Sequence, residues 1–68
     1  MKNKLAEYRR LHGYSQETLS KHLKVSRQTI ISIEKGKYNP SLPLGMIIAE
    51  LFKVNVEDIF MLEESDYK

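Results

Sequence analysis

The 68-residue chain contains no cysteine. That absence excludes disulfides and thiolate-bound metals together. It also fits a reducing compartment, so the cytoplasm is the expected location. A long apolar run is missing as well: the longest, around Leu44 to Phe52, is far too short to cross a bilayer. The start, Met1-Lys2-Asn3-Lys4, leads straight into an amphipathic pattern and has no secretory-signal character. With no low-complexity stretch, internal repeat or linker, residues 1–68 read as one domain. A domain of this size buries only about 60% of the surface that its unfolded chain exposes. Lacking staple and metal, it needs an efficient helical core or a partner subunit.

Charge is present but unevenly placed. Residues 1–40 carry nine Lys/Arg against three Asp/Glu, a balance of +6, whereas residues 41–68 carry two against six, a balance of −4. A basic first half joined to an acidic second half suggests one face for a polyanion and another for something else. Short chains also scatter charge unevenly by chance, so the asymmetry gains meaning only beside a motif.

The pattern along the chain is helical, in five short segments without a convincing strand, and the fold class is all-α. Leu5, Tyr8 and Leu11 recur at helical spacing, and Gly13 provides a stop. Ser15 is an N-cap for a second helix, with Leu19 and Leu23 facing inward and Glu17 at the positive end of the helix dipole. Ser26 caps a third helix that runs to about Lys35 and is closed by Gly36. Asn39-Pro40-Ser41 is a loop ending in another N-cap, and Pro43 is tolerated in the first turn of a fourth helix. Asn55 opens a last short helix, with Glu57 and Asp58 in its first turn.

The second and third helices are separated only by the few residues from Leu23 to Ser26. So tight a connection sets them at a steep angle, as in a helix-turn-helix spanning about residues 16–35, with Val25 anchoring the corner. Successive residues of the third helix are turned by about 100°. This places Thr29, Ile30 and Ile33 on a core-facing arc and Arg27, Gln28, Ile31, Ser32 and Lys35 on the outward one. Arg and Gln at the N-terminal end are the side chains shaped for bidentate bonds to guanine and adenine edges. A recognition helix reads bases mainly with its N-terminal residues. Alone, that pair is an ordinary solvated turn. Joined to the tight corner, the serine caps and the basic half-chain, it points to double-stranded DNA read in the major groove.

The segments Ser15-Gln16-Glu17-x-Leu19, Val25-Ser26-Arg27-Gln28-Thr29-Ile30 and Ile33-Glu34-x-Gly36-Lys37-Tyr38-Asn39-Pro40-Ser41 resemble the Cro/phage-repressor (XRE-like) family of transcriptional regulators. The similarity spans roughly residues 4–60. It implies a compact five-helix, lambda-repressor-like domain with a C-terminal tail over 61–68. It implies that Gln16 holds a DNA phosphate at the start of the second helix. Arg27, Gln28 and Ser32 would face base edges, Ser26 and Thr29 would lie near the backbone, and Lys37, Tyr38 and Asn39 would clamp a second phosphate stretch. Family members pair an arginine of the first helix with a glutamate at the end of the recognition helix, which maps onto Arg9 and Glu34. Three positions depart from the pattern. Lys24 stands where glycine is usual, so a positive φ is expected there. Ser20 replaces alanine at the helix crossing. Ile31 occupies a commonly polar site, either resting on a thymine methyl or incidentally exposed.

Other residues carry no chemistry of their own. His12 and His22 lack metal-ligand spacing, no nucleophile sits in a triad, and Asn39-Pro40-Ser41 is not a glycosylation acceptor because proline holds its middle position. No enzyme activity, cofactor, metal or small-molecule ligand is implied. The fourth helix is apolar nearly all round, with only Pro43 and Glu50 interrupting it, and a helix of that kind must be covered on nearly all sides. A symmetric homodimer through Met46, Ile47, Ile59 and Met61 is the expectation, with the acidic tail Glu63-Glu64-Ser65-Asp66 lying away from the phosphates. Some relatives of this kind end in a β-strand, for which residues 60–63 are the only candidate; the reading adopted has none. The functional expectation is a repressor on a palindromic operator. Its competitor is a protein-interaction module of the same fold, an antitoxin-like or anti-repressor subunit.

Overall fold

Three serine hydroxyls begin three of the helices. In the computed structural model, which describes residues 1–68, Ser15 accepts a hydrogen bond from the Thr18 N–H at 3.0 Å. Ser26 accepts from Thr29 N–H at 3.1 Å, and Ser41 from Leu44 N–H at 3.3 Å. Each satisfies an N–H that the helix itself leaves without a partner. The helices are α1 (Leu5–Leu11), α2 (Gln16–Leu23), α3 (Arg27–Glu34), α4 (Leu42–Phe52) and α5 (Val56–Ile59), followed by a 3₁₀ turn over Glu64–Tyr67. Asp58 accepts from the Asn55 N–H at 2.9 Å at the start of α5. Pro43 lies in the first turn of α4.

Glycine ends α1 and α3 in the left-handed conformation, with φ of +78° at Gly13 and +74° at Gly36. Lys24 takes the same role after α2, at φ 59°. Its N–H bonds Lys21 O, while the Val25 N–H reaches back to Ser20 O at 3.0 Å, so the corner carbonyls are satisfied. Lys53 repeats this after α4 at φ 58°, a position that nothing in the sequence marks. A left-handed residue other than glycine costs about 1–2 kcal/mol, and glycine loses about 0.5–1 kcal/mol through its freer unfolded chain. Lys24→Gly is therefore expected to stabilise the fold by about 0.5–1 kcal/mol, read as a raised urea midpoint. A lowered midpoint would show that the lysine stem contributes packing that outweighs its backbone strain.

Inward faces of all five helices meet in one core: Leu5, Leu19, Ile30, Ile33, Ile48, Ala49, Phe52 and Ile59, joined by Phe60. Tyr8, Tyr14 and His12 ring the Phe52 side chain at centroid distances of 6.0, 6.2 and 4.8 Å. No helix is long and apolar enough to cross a membrane.

The structure adds a strand pair to the five helices. β1 (Lys2–Asn3) and β2 (Phe60–Met61) run antiparallel, with Lys2 opposite Met61 and Asn3 opposite Phe60. Residues 60–61 thus do form a strand, because the chain's own first residues supply the pairing edge that a lone segment lacks. Asn3 serves two elements at once. Its carbonyl oxygen accepts from Leu5 N–H at 3.1 Å, and its amide donates to Ile33 O at 2.8 Å in the last turn of α3.

Beyond β2, the Met1 ammonium lies 3.0 Å from Glu63 and 3.2 Å from Asp66. Hydrogen bonds to Glu63 and then Asp66 raise its pKa. The Asp66 carboxyl is lowered, chiefly by the Glu63 backbone N–H. Glu63 shares a shallow cleft with Lys2, Lys35 and Gly36. Glu63, the first residue of the acidic tail, therefore stands near the C-terminal end of α3.

One correction concerns the expected partner surface. Ile59 is completely buried: the last turn of α5 points it into the core, so it has no surface to offer. Met61 is half-buried on β2, whereas Leu62 beyond it is exposed. Met46 and Ile47 are exposed, at 57% and 54%, and so is Leu42 at 72%. On α4, Met46 and Ile47 lie away from the buried Gly45, Ile48, Ala49 and Phe52, with Glu50 between them, whereas Leu42 stands at the edge beside Gly45.

Candidate nucleic-acid interface

Helices α2 and α3 pack on one another more extensively than any other pair. Leu19 and the small Ser20 are buried on α2, and Ile30 and Ile33 on α3. Ser20 fits at the crossing because its hydroxyl donates to Glu17 O at 2.7 Å and needs no further partner. With one side of α3 held in this way, Arg27, Gln28 and Lys35 are exposed. Ser32 and Thr29 are half-buried on the flanks. Gln28 donates from its amide to the Ser32 hydroxyl at 3.3 Å. Ser26 is occupied as the N-cap, its hydroxyl also 2.8 Å from that of Thr29, so both present backbone-level polar groups rather than long reading arms.

Ile31 does not stand out from the outward face as the helical wheel suggests; it is half-buried.

Two shallow concavities flank Arg27 and Gln28. One is lined by Ser26, Gln28, Thr29, Ser32 and Tyr38; Tyr38 comes from the loop after α3, where Lys37 and Asn39 are also exposed. The other is lined by Arg9, Arg10, Ser15, Gln16, Glu17, Thr18 and Arg27, with no hydrophobic residue. Arg10 and Arg27 share this lining with the first turn of α2, and two cations beside a helix N-terminus suit an anion despite the one carboxylate, Glu17. Arg10 is missing from the sequence-based site. It belongs to α1, outside the motif, and only folding brings α1 beside the start of α2.

Gln16 is less free than a surface residue would be. Its amide donates to Glu34 Oε1 at 3.1 Å. The same carboxylate receives Arg9 Nε at 2.6 Å and Nη2 at 3.3 Å, and Arg9 Nη1 donates to Tyr14 O at 3.0 Å. The Arg9 and Glu34 side chains are only 9% and 8% exposed. One buried ion pair therefore ties α1 and the α1–α2 turn to the end of α3, and holds the Gln16 amide by one of its two N–H groups. The remaining N–H is available to the concavity beside it. No group of three or more His, Asp or Glu could hold a metal ion; His22 instead packs edge-on against Tyr14 at 5.7 Å.

A short connection between two packed helices, with the second presenting its N-terminal polar side chains to solvent, defines a helix-turn-helix domain. Comparison with known proteins agrees: residues 5–59 match the helix-turn-helix family of Cro/C1 (XRE) type, and the chain belongs to that family. It is 61% identical to an uncharacterized HTH-type transcriptional regulator of Methanocaldococcus jannaschii, over 97% of this chain and 100% of the relative. It is 50% identical to the uncharacterized HTH-type transcriptional regulator YgzD of Bacillus subtilis, again over 97% and 100%. A further uncharacterized HTH-type transcriptional regulator, from Methanothermobacter thermautotrophicus, is 45% identical over the whole of both chains.

Proposed function

We propose that the protein is a sequence-specific DNA-binding transcriptional regulator, a repressor that occupies a palindromic operator as a homodimer. The observation that carries this reading is the exposure of Arg27 and Gln28 at the start of α3, over a corner packed on Ile30 and Ile33. Arg27 and Gln28 are the base readers, with Ser32 bonded to Gln28 on the same face. Gln16 with Arg10, and Lys37 with Tyr38 and Asn39, hold the phosphates on either side; Ser26 and Thr29 complete the contact at the backbone. The relatives' description as transcriptional regulators supports the same reading.

The dimer is built from a second copy of this chain. Met46 and Ile47 are exposed on α4, and the exposed Leu42 of the same helix lines an apolar groove with Pro40, Gly45, Val56, Phe60 and Leu62. Exposed apolar side chains beside an apolar groove suit an isologous contact, in which the same surface meets itself across a two-fold axis. Two recognition helices about 34 Å apart would then enter successive major-groove turns. Occupancy of the operator is the means of regulation in this reading.

Selection from a random DNA pool tests this directly. The expected product is an inverted pair of half-sites centred about one helical turn apart. Met46→Glu should sediment as a monomer and enrich no two-fold site. A pool without enrichment by the wild type would reject DNA reading, and an unchanged mass for the variant would reject the α4 face.

A further inference from the structure

We infer that Ser32 is a positioning residue for Gln28, and that their hydrogen bond turns the glutamine toward adenine. This rests on the reading of α3 as the base-reading helix and names which base one of its side chains takes. Gln28 and Ser32 are four residues apart on one face of α3, where side chains of a helix meet. The Gln28 Nε2 donates to Ser32 Oγ at 3.3 Å, and both residues line the same concavity, with Tyr38 at its far side.

The chemistry follows from what the amide has left. One N–H of Gln28 is taken by Ser32, so one N–H donor and the Oε1 acceptor remain. Adenine presents an N7 acceptor and an N6 donor in the major groove, the complement of that pair, whereas guanine presents two acceptors, N7 and O6. A glutamine free to rotate can turn its carbonyl away and offer both N–H groups, which suits guanine equally. The bond to Ser32 sets the nitrogen end toward the helix C-terminus and reduces the rotamers that must be lost on binding. The positioning group is a hydroxyl, so threonine can replace it and alanine cannot.

The test uses the full chain and the DNA site selected by the wild type. Wild type, Ser32→Ala, Ser32→Thr and Gln28→Ala are titrated against that site and against versions with each base pair replaced in turn. Gln28→Ala identifies the base pair that Gln28 reads, where the wild type should prefer adenine over guanine by about tenfold or more. Ser32→Ala should reduce that preference to within about threefold at the same base pair. Ser32→Thr should restore the preference. If Ser32→Ala keeps the full adenine preference, the positioning role is overturned while base reading by Gln28 stands. A loss at a different base pair would make Ser32 an independent reader and overturn it too. If Gln28→Ala alters the preference at no base pair, both this inference and the reading beneath it fail.

Discussion

Glu34→Ala is expected to destabilise the fold by about 3–5 kcal/mol, the cost of removing one partner from a buried ion pair. The carboxylate is the common acceptor for Arg9 Nε, Arg9 Nη2 and Gln16 Nε2. Without it the Arg9 guanidinium stays buried, with Tyr14 O as its one remaining partner. A chain of this length has a total stability on the order of 3–10 kcal/mol, so the variant should lose most of its cooperative urea transition in circular dichroism. Desolvation accounts for the size of the effect, more than the attraction between the two charges. Arg9→Met combined with Glu34→Leu removes both charges and should recover most of the loss. A loss below about 1 kcal/mol for Glu34→Ala would place the pair with ordinary solvated ion pairs and deprive Gln16 of its fixed anchor.

Arg27→Ala and Lys37→Ala should weaken DNA binding in different ways. Arg27 is exposed at the start of α3, and its planar guanidinium can bond N7 and O6 of one guanine together. Its loss should cost about 1–3 kcal/mol at one base pair of each half-site and relax specificity there. Scrambled DNA should lose much less. Lys37, exposed in the loop after α3, can meet only the uniform charge of the backbone. Its loss should weaken all sequences alike and lower the slope of log affinity against log salt by about one. Titrations of cognate and scrambled duplexes at several salt concentrations separate the two. Equal, sequence-independent losses would show that Arg27 also holds a phosphate and that α3 enters the groove at a different angle.

Much of this was legible before folding because capping is local chemistry. Ser15, Ser26 and Ser41 each bond an N–H three residues ahead, and that short reach can be read from residue order. The left-handed turn at Lys24 came from family resemblance, because glycine is usual at that position. Arg9 with Glu34 came from family resemblance, since twenty-five residues of chain separate them and no local rule relates such positions. Ile59 was misplaced because a four-residue helix has too little periodicity to say which way its last side chain points. Ile31 is half-buried rather than fully outward, because a helical wheel gives direction around one axis and not what packs beside it.

The order of residues by itself determined where the helices begin and end, which side of α3 is polar, and that α4 carries more apolar surface than one small domain can cover. Those are consequences of interactions within about one helical turn. Only the tertiary structure decided that Arg10 stands beside Gln16 and Arg27, that Asn3 closes the end of α3, and that β1 pairs with β2 across nearly the whole length of the chain. Each of these depends on backbone groups or charges far apart in sequence being brought within bonding distance. The compact core does that, and periodicity along the chain carries no record of it.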